Sequence, residues 1–524
     1  LDRNQCAFNN FKTDIQPSLI FERLRDHVTE PAVLSRNDPR LFESQDPLEA
    51  AIDKYSVSAL PFEPSVVEEV REHLYSVMDS FKARPIGDVG EDKAINGDSS
   101  VRFCEPLNMH TATGYPYNLI KADKTKGGKR WLFEEEDNHY SVSHPELRKR
   151  LDERLRFAKE GHRYDSLSIA NLKDERRDLE KIPVGKTRHF SLFPTDYVIL
   201  CKRYMQEFLV SWYGSCLETF IAVGMDPYSS DADIFMDKLR ATSDIGFDGD
   251  FKAFDGKIAP EMFDELLHLL NHYYRHEQNH EENMMIRRVL VNEALHTIEL
   301  ARNVVYGKHG GDPSGFPLTT LFNCLVNYYY MSTAYLSTVP MKYRSMKNFE
   351  ALTKLFVFGD DNVVAVDRKV APYFNLRSVS EYLAEHDIQY VPNDGSNEPV
   401  KSVEDLSFLK NTFRSEGKHT YAMLDDKVIY EMCNWIRKSD DDFIATLDNC
   451  NTALRYAYFH GRPYFSKLRT QLYDALLTLS ENAIHLYTYT YLDHVFKEEG
   501  SLQTIEELEV ELNVAQCLIE EVNQ

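Results

Sequence analysis

The sequence predicts a mixed α+β fold that gives way to a purely helical C-terminal portion. Leu355-Phe356-Val357-Phe358 and Val363-Val364-Ala365-Val366 are apolar β runs flanking the turn formers Gly359-Asp360-Asp361-Asn362, which reads as a hairpin. Leu318 to Tyr335 is apolar enough to read as a mostly buried helix. From about residue 427 the pattern is helical, ending in an acidic amphipathic stretch around Ile505, Leu508, Leu512 and Leu518.

The other elements follow in chain order. Ser65-Val66-Val67-Glu68 reads as a capping box opening a helix that runs to about Phe81. Lys82 to Ser100, with Pro85, Gly87, Gly90 and Gly97, reads as loop. Ile245 to Phe251 reads as a short strand. Pro260 then opens a helix on which Met262, Phe263, Leu266, Leu267 and Leu270 recur at helical spacing. A chain of 524 residues suggests about three folding units, and 43% hydrophobic residues can bury a large core.

The 8 cysteines form no C-x-x-C pair, which argues against zinc ribbons and disulfide frameworks and for a reducing compartment. Leu1-Asp2-Arg3-Asn4-Gln5 lacks the apolar core of a signal peptide, and Leu1 in place of methionine points to processing from a precursor or to trimming. No stretch approaches the ~18 apolar residues that span a membrane. The net charge of −24 is unusual for a nucleic-acid binder, which neutralises phosphates with Lys and Arg. The charge is unevenly spread, however. Residues 121–203 hold 20 Lys+Arg against 15 Asp+Glu, and the rest holds 40 against 69. A basic segment therefore sits inside an acidic protein, although solvated helix faces alone can produce such a bias.

Asp360 and Asp361 are adjacent acids on a short turn between buried strands, a rigid oxygen-rich site of the kind that two-metal phosphoryl transfer needs. Taken alone, Gly-Asp-Asp is only a good turn. The strand at 245–251 can add a third carboxylate from Asp248 or Asp250, which alternation puts on one face, so both stay open. Asp255 follows Asp250 by five. Gly310 to Gly315 reads as a flexible loop leading into the apolar helix, on which Thr319, Asn323 and Asn327 recur at i, i+4 and i+8. That polar stripe needs partners, either within the core or on a sugar hydroxyl. Lys173, Arg176, Arg177, Lys181, Lys186 and Arg188 suit a ribbon crossing a triphosphate. Gly185-Lys186-Thr187 is not a P-loop, because Glu180 stands where the upstream glycine belongs.

In this order the residues resemble the RNA-dependent RNA polymerases of picornavirus-like positive-strand RNA viruses, from about residue 108 to 413. Thr111-Ala112-Thr113-Gly114-Tyr115-Pro116 looks like the motif at the template entrance, and Lys173 to Arg188 like the basic fingers motif. Asp250-x4-Asp255 resembles the first palm motif, and Pro313-Ser314-Gly315 with Thr319 and Asn323 the second. Phe358-Gly359-Asp360-Asp361 resembles the third, with Phe where Tyr is commoner, and Phe408-Leu409-Lys410 the primer grip.

The resemblance implies a closed right-hand polymerase with an antiparallel-sheet palm and a helical thumb. Fingers would occupy 1–209 and 257–309, palm 210–256 and 310–415, and thumb 416–524. Asp250 and Asp360, assisted by Asp361, would hold two Mg²⁺, with Mn²⁺ as a substitute. Lys173, Arg177, Lys181, Lys186 and Arg188 would bind the nucleotide, and Asp255, Ser314, Thr319 and Asn323 would lie about its sugar. Thr111, Thr113, Gly114, Tyr115, Pro116, Gly315 and Lys410 would contact RNA. The implied partners are template and primer RNA, NTPs, a small uridylylated protein primer and the other proteins of a viral replication complex. The implied place is the host cytoplasm, in membrane-associated complexes. The family's fourth palm motif usually supplies a lysine as general acid to pyrophosphate; Gly395 stands there, so Lys401 is the candidate acid. A reverse transcriptase-like enzyme and an inactive RNA-binding scaffold are the competing readings.

Overall fold

The computed structural model describes residues 12–503 and 505, apart from 43–44, 83–84, 122–126, 165, 394, 396–397 and 480–483. Leu508, Leu512 and Leu518, on the acidic C-terminal stretch, lie outside the described residues.

Side-chain alternation builds the central sheet. Thr353–Phe358 and Asp361–Val366 pair antiparallel, with Phe358 opposite Asp361, so Gly359 and Asp360 alone make the turn. Ile245–Phe251 pairs with the second hairpin strand, Asp248 opposite Val363. Along its other edge run Tyr390–Pro392, with Val391 opposite Asp250, and Lys401–Ser402, with Lys401 opposite Gly246. Phe356, Val363 and Ala365 pack with Phe235, Met236 and Leu239 of the Asp231–Thr242 helix on one face. Leu355, Val357, Val364 and Val366 join the main core with the Thr319–Thr338 and Leu376–Ala384 helices. Both faces are covered, which is why these strands are apolar at nearly every position.

A second sheet runs in the order Val304–Gly307, Ile298–Ala301, Ser168–Leu172, His189–Leu192. Beside it the helices Pro145–Lys159, Thr195–Gly214 and His280–Leu295 are joined by buried Arg154, which reaches Asp196 and Glu293 at 2.7 Å each. The C-terminal portion stacks the helices Asp426–Asn434, Asp442–Tyr458, Arg462–Leu477 and Tyr489–Glu499 around their own core. The N-terminal segment bridges the two ends of the molecule. Ile15–Pro17 pairs with Trp435–Arg437, and Thr29–Pro31 pairs with Arg176–Asp178 of the basic ribbon. Buried Glu431 pins this bridge, accepting the Val28 and Thr29 N–H groups at 3.0 and 3.1 Å and the Trp435 indole N–H at 3.2 Å. Among the described residues no helix is long and apolar enough to cross a membrane.

Three local expectations change. The first long helix begins at Pro64, not at a Ser65 cap: Pro64 takes the first helical position, and the Ser65 hydroxyl turns back to Glu63 at 3.4 Å. The stretch read as loop from Lys82 to Ser100 contains a helix, Gly90–Asn96, ended by Gly97 at φ +68°. The C-terminal portion is not wholly helical, because Trp435–Arg437 is a strand that needs its N-terminal partner to be visible.

Candidate active site

The sheet delivers its carboxylates at one end, and the two acids that alternation left equal have different environments. Asp248 is buried, accepting the Ser407 N–H at 2.8 Å and pairing with the Lys401 ammonium at 2.9 Å. Asp250, two residues on, lies at the open strand end, 3.3 Å from the Lys252 ammonium. After it the chain turns sharply: Ala253 sits at φ +54°, a conformation costing an ordinary residue roughly 1–2 kcal/mol, and this turn leads into the Phe254–Lys257 helix that carries Asp255.

Asp255 is gripped by the loop that precedes the Thr319–Thr338 helix and by that helix itself. Its two oxygens accept the Asn323 amide at 2.9 Å and the Ser314 hydroxyl at 3.1 Å. The polar stripe on the Thr319–Thr338 helix divides its work turn by turn. Thr319 donates to the Pro313 carbonyl at 3.1 Å, Asn323 holds Asp255, and Asn327 donates to the Gly359 and Asp360 carbonyls at 3.1 and 2.9 Å. Asn327 therefore ties the helix to the hairpin turn through its amide N–H groups, while the side-chain oxygens of both Asn323 and Asn327 have no hydrogen-bond partner among the described residues. Gly315 must be glycine: a Cβ there would come within 1.8 Å of the Ser191 carbonyl on the strand that follows the basic ribbon.

Asp360 and Asp361 cap this arrangement. Burial, then the Asp255 and Asp250 charges, raises the proton affinity of Asp360. Burial, then Asp360 and Asp250, pushes the Asp361 carboxyl up to about 6. Asp250 and Asp361 line a cleft of about 750 Å³ whose opposite wall includes Phe408, Leu409 and Lys410. Leu409 and Lys410 both adopt positive φ, +53° and +61°, closing a tight turn in which Phe408 and Asn411 exchange hydrogen bonds of 2.9 Å. That strained turn presents Phe408, Leu409 and Lys410 to the cleft.

The basic ribbon is folded back on itself. The Lys173 N–H donates to the Arg188 carbonyl at 2.8 Å, and Arg177 reaches the Lys186 carbonyl at 3.1 Å. Glu175 accepts Arg188 Nε at 2.8 Å, and Asp178 pairs with Lys181. Glu175, and then the Asp360 and Asp255 charges, hold the Arg188 guanidinium above its usual range, so Arg188 lies within electrostatic reach of the acidic centre. At the proposed template entrance, Lys129 is engaged by the Thr111 carbonyl at 3.1 Å, and the Thr113 carbonyl accepts the Thr195 hydroxyl at 2.9 Å. Gly114 turns at φ +77°, and Tyr115-Pro116 leads into the short Tyr117–Ile120 helix.

The structure does not bring Lys401 to the cleft that Asp250 and Asp361 line. Lys401 is only 15% exposed and stays with buried Asp248; the lysines on the cleft wall are Lys252 and Lys410. Sequence reading also missed four residues around the second palm loop: Lys54, Tyr55, Lys308 and Asp312. The Tyr55 ring lies between the Lys54 and Lys308 ammonium groups, 4.9 and 4.3 Å from its centroid, and its hydroxyl reaches the Asp312 carbonyl at 3.3 Å. Lys54 lies near Asp255, Lys173 and Arg188. No local pattern announces contacts separated by more than two hundred residues.

Among the described residues, no three His, Cys, Asp or Glu side chains stand close enough to hold a metal ion as they lie. The donor set still fits a hard divalent cation. Three carboxylates sit on rigid elements, and the raised proton affinity of Asp360 and Asp361 marks crowded negative charge that a cation relieves. Asp250 has to leave Lys252 to join them.

Residues 21–477 match the family model described as viral RNA-dependent RNA polymerase. The genome polyprotein of Rice tungro spherical virus (strain Vt6) is 32% identical over 490 residues, 89% of this chain and 14% of that protein. The replicase polyprotein of Drosophila C virus is 29% identical over 480 residues, 87% of this chain and 27% of that protein. The chain thus spans a minor part of these curated relatives. In three dimensions it is similar to the Sicinivirus 3Dpol RNA-dependent RNA polymerase, with a TM-score of 0.78 at 20% identity, covering 94% of this chain and 97% of that one. The right-hand arrangement anticipated for the fold is therefore present.

Proposed function

This chain belongs to the viral RNA-dependent RNA polymerases, and on that premise we propose that it copies an RNA template by adding NTPs to a primer 3′-hydroxyl, replicating a positive-strand viral genome. One observation carries the reading. The carboxylates of two neighbouring strands, Asp250 and the Asp360-Asp361 turn, meet an Asp255-Ser314-Asn323 cluster across one end of a sheet, with Arg188 facing both. Neither the reverse transcriptase-like reading nor the inactive scaffold is favoured. Extension of a primed RNA on a gel, with NTPs and a divalent cation, tests it; no extension with any divalent cation would sink it.

Asp250, Asp360 and Asp361 would hold two divalent cations, taken here as Mg²⁺ with Mn²⁺ able to replace it. When bound, such ions activate the primer hydroxyl and neutralise the pyrophosphate that leaves. Arg188, Lys173, Arg177, Lys181 and Lys186 bind the triphosphate, once Glu175 and Asp178 release their cations to it. Lys410 and its strained turn hold the primer against the cleft, and Thr111 to Pro116, with Gly315, guide the template. Residues 1–209 and 257–309 act as fingers, 210–256 and 310–415 as palm, and 416–524 as thumb. The partners in this reading are RNA, NTPs, a small uridylylated protein primer and other replication proteins at cytoplasmic membranes.

Ribose recognition yields a direct expectation. Asp255, held by Ser314 and Asn323, reads the 2′-hydroxyl, and a site built to bond a hydroxyl penalises its loss because polar groups are left unpaired. Asn323→Ala is expected to lower the preference for NTP over dNTP by roughly 10-fold or more. An unchanged ratio in single-nucleotide incorporation would return Asn323 to a purely structural part.

Cation binding carries a pH signature. The folded Asp361 carboxyl titrates near 6 instead of at its ordinary lower value, so the cation-free fold loses stability as pH rises through that window. A divalent cation offsets the loss only where the carboxylates are ionised. Mg²⁺ is therefore expected to raise the melting temperature more at pH 7.5 than at pH 5, and Asp361→Asn to flatten the difference. Equal shifts at both pH values in the unmodified chain would place the cation elsewhere.

A further inference from the structure

One carboxyl beside this site has no task in the reading above. Asp312 is completely buried, an unusual place for an acid. Its backbone is fastened on both sides: its N–H donates to the Asp255 carbonyl at 2.7 Å, and its carbonyl accepts the Tyr55 hydroxyl at 3.3 Å. Its side chain is poorly served. The Thr319 hydroxyl reaches Oδ1 at a long 3.4 Å, and Oδ2 has no hydrogen-bond partner among the described residues.

The charged groups around it favour its uncharged form. Asp255 contributes a second negative charge on one side. Lys308 faces it as well, but its ammonium is engaged by Glu299 and by the Ser191 hydroxyl, at 3.1 Å each. Lys54 and His189 lie farther out, against the Tyr55 ring at 4.9 and 5.2 Å. A fully buried carboxyl beside another acid, with its nearby cation already committed, is stable in the uncharged form.

We propose that Asp312 is a positioning residue for the ribose-reading cluster: uncharged, it lets the loop seat against Asp255, and when it ionises the new buried charge pushes Asp255 away. This inference rests on the reading of Asp255, Ser314 and Asn323 as sugar contacts. Burial, followed by the Asp255 charge, pushes the Asp312 carboxyl well above the ordinary carboxylate range. The folded environment therefore favours the uncharged form, and rising pH favours the ionised one. Ionisation then sets two like charges side by side beneath Ser314, two residues along the chain, and pushes Asp255 out of register with Asn323.

The test is the ratio of NTP to dNTP incorporation efficiency from mildly acidic to alkaline pH, in the full chain, with folding checked by melting. Titration of Asp360 and Asp361 affects both substrates and cancels in the ratio. The unmodified chain is expected to lose roughly 10-fold of its preference towards alkaline pH, the scale of a lost hydroxyl contact. Asp312→Asn, isosteric but unable to ionise, is expected to keep the low-pH preference throughout, and Asp312→Ala to lose it at every pH. Parallel profiles for the unmodified chain and Asp312→Asn would overturn the proposal. Should Asp312→Asn fail to fold, Thr319→Val serves instead: removing the hydroxyl that favours the ionised form moves the fall to higher pH, and an unmoved midpoint overturns the proposal. Asn323→Ala separates the two readings. If it leaves the ratio unchanged, the sugar reading fails; if it moves the ratio while the Asp312 profiles stay parallel, only this inference fails.

Discussion

Asparagine in place of Asp250 or Asp360 is expected to reduce primer extension by roughly 10³-fold or more, the scale of losing several kcal/mol of metal-borne charge stabilisation. Asparagine keeps the shape of aspartate and removes its charge, so the sheet and hairpin stay as they are. Asn327 would still hold the turn, because it grips backbone carbonyls at 2.9 and 3.1 Å and not the acid side chains. RNA affinity should stay within a few-fold of normal, since it rests on the cations from Lys173 to Arg188 and on Lys410. Extension on a gel and RNA binding by anisotropy measure the two separately. Extension surviving at a tenth of the normal rate would remove these acids from the chemistry.

Lys401→Leu separates a structural lysine from a catalytic one. Asp248 is buried, and its charge is balanced by Lys401 at 2.9 Å. Taking away one partner of a buried pair strands the other, at a cost of about 3–5 kcal/mol. The variant should therefore melt at clearly lower temperature, by several degrees for a loss of that size. Asp248→Leu combined with Lys401→Leu should recover much of the loss, because no charge is left stranded. A general acid would behave in the opposite way: unchanged melting and incorporation slowed by roughly 10²-fold or more. That second result would restore Lys401 to the chemistry despite its place beside Asp248.

What could be read from the residues follows from how local the physics is. The hairpin, the strand ending at Asp250 and the apolar helix were legible because burial on both faces writes itself into consecutive positions. Asp248 and Asp250 were indistinguishable because alternation is blind to where a strand leaves its sheet. Asp248 sits under the Ser407 loop and Asp250 lies beyond it. The Ser65 cap was misplaced because Pro64, already at the first helical position, leaves no role for a hydroxyl at the next one. Tyr55, Lys308 and Asp312 were invisible because they meet only after the N-terminal segment folds against a loop more than 250 residues away.

The Thr319–Thr338 helix ties three parts of the proposed site together mechanically. At a rise of 1.5 Å per residue, Thr319, Asn323 and Asn327 are spaced about 6 Å apart along one rod. The first is fixed to the loop, the second to Asp255, and the third to the turn that carries Asp360 and Asp361. A displacement of the rod moves all three by the same amount. With Asn323 at the sugar and Asp360 and Asp361 at the cations, as proposed, a nucleotide whose sugar fails to seat is expected to disturb those carboxylates one helical turn away. Discrimination against it then appears as slower bond formation as well as weaker binding.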